Sequence, residues 1–237
     1  MDNAIYTTLT RQSGLMREMQ VVANNIANAA TTGFRQEGLV FSEHVKRIEG
    51  GQSLSMATAS VRNTSMLQGA LTQTGGPLDL AIEGEGFFLI ETPQGQRLTR
   101  SGHFSASAEG ELVTSDGHRV LDEAGTPIFL PPDAPGLSVA ADGTLSAGGA
   151  PLAQIGLMQP VDPTGLIREG GVLFRADAGM EPAEGSRVLQ GFLEASNVDP
   201  IGQLARMIQV QRAYEMGQGL LEREDERIRA AIKTFIR

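Results

Sequence analysis

The sequence predicts an α+β chain: long N- and C-terminal helices pair as a coiled-coil-like layer, and an all-β central domain, a small barrel or sandwich, lies between them. Three observations carry this. Apolar residues recur at helical spacing near the N-terminus, a seven-residue repeat runs to the C-terminus, and turn glycines divide the middle into short runs. Gly is 29 of 237 residues, well above an ordinary share of ~7%.

The first helix rests on Ile5, Leu9, Gln12, Met16, Met19, Ala23 and Ile26, which recur at alternating spacings of four and three. The seam is narrow and has one polar member. Asp2 or Asn3 caps its start. Gly14 weakens it by roughly 1 kcal/mol relative to Ala, and Thr31-Thr32-Gly33 stops it. The last helix opens on Ser196-Asn197-Val198-Asp199-Pro200, with Asp199 as N-cap and Pro200 at the first helical position. Met207, Tyr214, Leu221, Ile228 and Phe235 then recur every seven residues, with Leu204 before them and Val210, Gly217, Glu224 and Ala231 in the second seam position. At 1.5 Å per residue this helix reaches ~55 Å. Seams this narrow gain stability mainly from packing, so the helices are expected to pair with each other and then with neighbouring copies.

The expected organisation is residues 1–34 as the N-terminal helix, 35–76 as an extended irregular linker, 77–190 as the β-rich domain, and 191–237 as linker and C-terminal helix. In the third part Leu78–Ile82 alternates and Gly86–Ile90 reads as a buried strand. Glu109-Gly110, Asp116-Gly117, Asp142-Gly143 and Gly148-Gly149 separate further short runs, as hairpin turns do.

The chain carries a net charge of −9, and residues 48–198 hold seven basic and 18 acidic side chains, a net of −11. An acidic body argues against nucleic acid or anionic lipid as partners. The longest run of large apolar residues, Phe87–Ile90, is too short for membrane insertion. The opening MDNAIYTTLTRQSGLMREMQ lacks the basic and apolar regions of a cleavable signal peptide. That predicts a cytoplasmic protein or export by another route. With no cysteine and only His44, His103 and His118, no metal motif is evident. The GxG of Gly84–Gly86 lacks a third glycine and precedes a strand, so it is not a dinucleotide site. No P-loop or GxSxG occurs. Ser101, His103, Asp116 and His118 read as turn residues, and Glu83, Glu85, Glu109 and Glu111 as solvated surface rather than a carboxylate pair. Asp116 and Asp142 lack Ca²⁺-loop spacing. No catalytic, cofactor or metal residue is predicted, and the chain reads as a structural protein, not an enzyme. The alternatives are a secreted β-rich module that binds sugar and a glycosidase using Glu83 and Glu111.

Four blocks carry a specific resemblance. Ala23–Arg35, ANNIANAATTGFR, resembles the ANNLAN…T-x-GF(K/R) signature of flagellar rod and hook proteins, with Ile26 in place of Leu. Leu67–Phe88 resembles the family's QGxLxxTGxPLDLAIxGxGFF block. Thr99–Phe104 with Leu112–Gly117 resembles its TRxGxF…LVTxxG block. Gln190–Asp199 followed by Met207–Glu215 resembles its QGxLExSNVD…MIxxQRxYE block. The blocks run end to end in the family's order. After Glu215 the chain departs from the N-x-K…T-x-D-x-M continuation of distal-rod and hook members, and its opening Met1–Tyr6 is more like the proximal-rod members. A distal-rod protein is the alternative.

The resemblance implies a subunit of the basal-body rod that polymerises into a hollow drive shaft enclosing the export channel. The terminal helices would form its inner layer and the β-domain would lie outside. The implied partners are copies of itself, other rod proteins, the flagellar type III export apparatus and the rings around the rod. The implied location is the periplasmic rod, reached without a cleavable signal peptide. The expected assembly residues are Ile5, Leu9, Met16, Met19, Asn24, Asn25, Ile26, Asn28, Gly33 and Phe34 at the N-terminal end. At the C-terminal end they are Asn197, Leu204, Met207, Val210, Gln211, Arg212, Tyr214, Leu221, Ile228 and Phe235.

Overall fold

A computed structural model describes residues 2–46, 54–131 and 136–235, with side chains for 8–40, 63–131 and 136–234. The chain divides into two units. The first comprises Met1–Ala27, Glu37–Asn63 and Asp199–Arg237, and the second Asn28–Gln36 and Thr64–Val198.

The first unit holds helix α1 (Asp2–Ala27), helix α2 (Pro200–Phe235) and a two-stranded sheet of Glu37–Lys46 with Leu54–Thr64. Residues 35–76, expected to be an extended irregular linker, therefore contain these two strands and a third, Leu71–Gln73. Asp199 caps α2 as expected, its Oδ1 accepting from the Ile201 N–H at 3.1 Å. Helix α1 ends at Ala27, before the expected stop at Thr31–Gly33. Among the described residues no helix is long and apolar enough to cross a membrane.

The two helices pack on each other, but not as a coiled coil. Knobs-into-holes packing needs apolar residues at both seam positions. Here α1 turns Leu9 (49% exposed) and Met16 (47%) outward and buries Gln12, Glu18, Val21, Val22 and Asn25. On α2, Val210 is buried and Met207, Tyr214, Gly217, Leu221 and Glu224 are half-buried. Gly217 offers no knob. It admits the Gln12 amide, whose Nε2 donates to the Tyr214 carbonyl at 2.9 Å. A Cβ on Gly217 would lie 2.3 Å from that nitrogen. The contact is thus made by a polar side chain seated where α2 has none of its own.

The middle of the chain is β-rich as expected, but its main sheet does not close into a barrel. Its main element is a nine-stranded sheet. Seven strands lie in the order Leu166–Arg168, Leu173–Ala176, Gly95–Thr99, Phe87–Thr92, Arg119–Val120, Leu112–Thr114 and Phe104–Ala106, and Leu157–Pro160 with Met180–Pro182 branches from Phe87–Thr92. Leu166–Arg168 and Phe104–Ala106 do not pair with each other among the described residues, so the sheet stays open. Leu80–Glu83 pairs with Arg187–Gln190, and Leu71–Gln73 with Phe192–Glu194. Leu137–Val139, Thr144–Ala147 and Ala150–Gln154 form a third small sheet. Strands of two to six residues, ended by glycines in the left-handed region such as Gly110 (φ 84°) and Gly143 (φ 85°), are too short to tilt and close as a barrel requires.

Phe87–Thr92 is the central strand, as the run Phe87–Ile90 suggests. Alternation sends Phe87 and Leu89 into one core with Leu98, Leu121, Leu166 and Phe174. Phe88 and Ile90 enter a larger one that includes Leu80, Ile82, Phe104, Leu112 and Val120. An edge-to-face aromatic pair anchors each core, Phe87–Phe174 at 5.5 Å and Phe88–Phe104 at 5.1 Å between centroids. Phe88→Ala is therefore expected to lower unfolding stability by about 3–5 kcal/mol. The exposed Phe129→Ala should shift it by about 0.5 kcal/mol or less, and urea denaturation of the two variants checks the contrast.

Candidate assembly surfaces

The segment that follows α1 is built into the second unit. Asn28 closes a turn: its carbonyl accepts from the Thr31 N–H at 3.0 Å, and its Oδ1 accepts from the Thr31 hydroxyl at 3.2 Å. Gly33 has φ 70° and donates its N–H to the Glu194 carbonyl at 2.7 Å. A Cβ there would meet Ser101 N at 2.3 Å, so only glycine fits. Phe34 is 1% exposed, with the Arg168 guanidinium 4.3 Å from its ring centroid.

Arg35 and Glu194 are each 1% exposed and Arg100 is 3% exposed. The Glu194 carboxylate takes Arg35 on one oxygen at 3.0 Å and Arg100 on the other at 3.1 Å. The Gly69 N–H adds a third bond at 2.9 Å. The terminal guanidinium nitrogens also reach main-chain carbonyls, while among the described residues the buried Nε of each arginine makes no hydrogen bond. Arg35 donates to Met66 and Leu67, and Arg100 to Ile82 and Gly84. Burial pulls both guanidiniums below their ordinary range, Arg100 to about 10, while the Glu194 charge pulls them back up. Asn197 joins this cluster. Its Oδ1 accepts from the Gln36 N–H at 2.6 Å and its Nδ2 donates to the Leu67 carbonyl at 2.7 Å.

In the first unit Asn25, 1% exposed, reads both main-chain groups of Glu37. Its Nδ2 donates to the carbonyl at 2.8 Å, and its Oδ1 accepts from the N–H at 2.9 Å. The same Nδ2 reaches Gln203 Oε1 on α2 at 3.2 Å, so one amide ties both helices to the strand Glu37–Lys46. Asn24 Nδ2 lies 3.5 Å from the Glu37 carboxylate. Glu18 is 8% exposed and accepts from Arg206 Nε at 2.6 Å.

The expected assembly residues thus fall into three groups. Asn25 and Val210 are buried, and Met19, Asn24, Ile26, Met207, Tyr214 and Leu221 half-buried, within the first unit. Asn28, Gly33, Phe34 and Asn197 belong to the second. Leu9, Met16, Leu204, Gln211, Arg212 and Ile228 are exposed. Ile5 and Phe235 lie in the helices, but their side chains are outside the described residues. The sequence reading missed Glu18, Arg206, Glu37 and Gln203, and it missed the Arg35–Glu194–Arg100 cluster. The one available signal was a charged residue inside an apolar run, as Glu194 stands between Leu193 and Ala195. Of the enzyme-like candidates, His103 Nδ1 lies 2.7 Å from Asp79 Oδ1, and Glu111 is bonded by Arg119.

Glu194→Ala leaves two buried guanidiniums without their carboxylate and should cost about 3–5 kcal/mol. Glu194→Gln keeps the shape and should cost less, and chemical denaturation of both variants measures the difference.

The chain was compared with known families and proteins. Residues 5–35 match the flagella basal body rod protein family. Residues 81–147 match the flagellar hook protein FlgE/F/G D1 domain, and residues 189–234 the flagellar basal body rod FlgEFG protein C-terminal region. The flagellar basal-body rod protein FlgF of Caulobacter vibrioides is 39% identical, over 99% of this chain and 98% of that protein. FlgF of Mesorhizobium japonicum is 36% identical over the same shares. The rod protein FlgG of Bacillus subtilis is 32% identical over 94% of this chain and 95% of its own length. Identity at this level over nearly the whole length shows common descent, and the chain belongs to the flagellar basal-body rod protein family, as a structural subunit and not an enzyme.

Proposed function

We propose that this chain is a proximal-rod subunit that polymerises through the exposed faces of its terminal helices. One observation carries the reading. Both helices present large apolar side chains to solvent: Leu9 and Met16 on α1, and Leu204 (53% exposed), Ile208 (51%), Met216 (70%) and Leu220 (50%) on α2. Such side chains on a two-helix layer call for burial by further protein. Copies of the chain and other rod components are the partners of this surface, and the assembled rod is the hollow shaft around the export channel.

The proximal position draws support from the FlgF relatives, whose identities of 39% and 36% exceed the 32% of the FlgG protein. Export through the flagellar type III apparatus to the periplasmic side is the expected route. The residues of the second unit, net −10 by sequence, would form the outer surface facing the surrounding rings. A contact made by such a surface weakens with added salt.

Replacing Leu204 and Ile208 together by Asp tests the helix-face reading. The double variant is expected to leave the purified chain's thermal midpoint within a few degrees of wild type and to abolish swimming and rod formation. Normal swimming would show that these faces do not carry assembly.

A further inference from the structure

The structure displays a knob and a groove. Met66 and Leu67 are 39% and 77% exposed, yet the carbonyl of each is held by buried Arg35. Asn197 bonds the Leu67 carbonyl as well, and the Ser65 N–H donates to the Gln36 carbonyl at 2.8 Å. A loop this fixed with two apolar side chains in water presents them for contact. The next residue, Gln68, spans to the turn at Glu83–Glu85, bonding the Ile82 carbonyl and the Gly84 N–H. Exposed Glu83 and Glu85 thus stand one side chain away from the knob.

The groove lies between α1 and α2 in the first unit, with a volume of about 740 Å³. Leu15, Met216 and Leu220 wall it, and Gly217 and Gly219 keep it open. Gln12 lines it at 9% exposure, and its Oε1 has no hydrogen-bond partner. A buried acceptor left open is costly and calls for a donor. Arg11 and Arg223 stand on the groove wall, and among the described residues neither makes an ion pair. The one carboxylate there, Glu215, accepts from Gln211 at 3.0 Å.

We propose that the Met66–Leu67 knob of one copy seats in the α1–α2 groove of a second copy, with Glu83 and Glu85 meeting Arg11 and Arg223. The match is twofold: apolar pair to apolar slot, and carboxylates to guanidiniums that make no ion pair among the described residues. The two surfaces differ, so the contact is heterologous and leaves a free knob and a free groove at the ends of any chain of copies. That is the form a rod requires, and the inference rests on the assembly reading above.

The chain has no cysteine, so single introduced cysteines give an unambiguous test. Leu67→Cys and Met216→Cys are produced together in flagellated cells, and isolated basal bodies are oxidised. The pair is expected to give a disulfide dimer at least ten-fold above either variant alone and above Leu67→Cys with Leu152→Cys. A dimer no stronger than these controls, with both variants present in the basal bodies, overturns the knob-and-groove contact but leaves the rod assignment standing. Cross-linking of Met216→Cys to a different protein overturns a second copy as the occupant. Absence of wild-type chain from basal bodies overturns the rod reading and this contact with it.

Discussion

The Glu194 carboxylate is the point on which the second unit depends. It lies on the strand Phe192–Glu194, and the charges it meets come from residues far away along the chain: Arg35 from the segment after α1, and Arg100 from the end of Gly95–Thr99. Gly69 adds the approach to Leu71–Gln73. One anion between two cations leaves an excess of positive charge inside an acidic unit. The excess is tolerated because the terminal guanidinium nitrogens donate to the carbonyls of Met66, Leu67, Ile82 and Gly84, three of which lie outside any strand. Fixing those segments is the return for the desolvation of three charges. Replacing all three by apolar residues would remove the penalty, but also the means of holding Met66, Leu67, Ile82 and Gly84.

The same economy explains the glycines around the cluster. Gly69 and Gly102 have ordinary backbone angles, yet a Cβ would lie 1.9 Å from the Ala195 carbonyl oxygen in the first case and 1.6 Å from that of Leu80 in the second. The Glu194 carboxylate holds the Gly69 N–H, and a main-chain bond from the Leu80 N–H to the Gly102 carbonyl at 2.9 Å holds the other pair, so close that no side chain fits. The helix layer follows a different logic. Its interior holds Gln12, Glu18, Asn25 and Gly217, and its apolar residues point outward in good part. A pair built that way draws little stability from its own apolar contacts.

Much of this was legible in the sequence, and the limits were physical. Phe87–Ile90 announced the central strand because local alternation and burial coincide there. Asp199-Pro200 announced the start of α2 because capping is a local affair. The coiled coil failed because a repeat counts positions and not partners. Leu9, Gln12 and Met16 all fit the seam on paper, but of the three only the polar Gln12 is buried against α2, at Gly217. The strands Glu37–Lys46 and Leu54–Thr64 were missed because their composition is polar and their pairing is with each other alone. Among the expected assembly residues, Asn25 and Gly33 stood out through the family signature. The Glu194 cluster did not, since its members are separated by up to 159 positions and no local pattern links them.

The central claim is that Asn28–Gln36 belongs to the β-rich unit through this cluster and not to the helix it follows. Limited proteolysis of the purified full-length chain, read by intact mass, tests it most directly. The account predicts early cuts in the terminal helices, with a resistant species that retains Asn28–Gln36 together with Thr64–Val198. Loss of residues 28–36 along with α1 would contradict it.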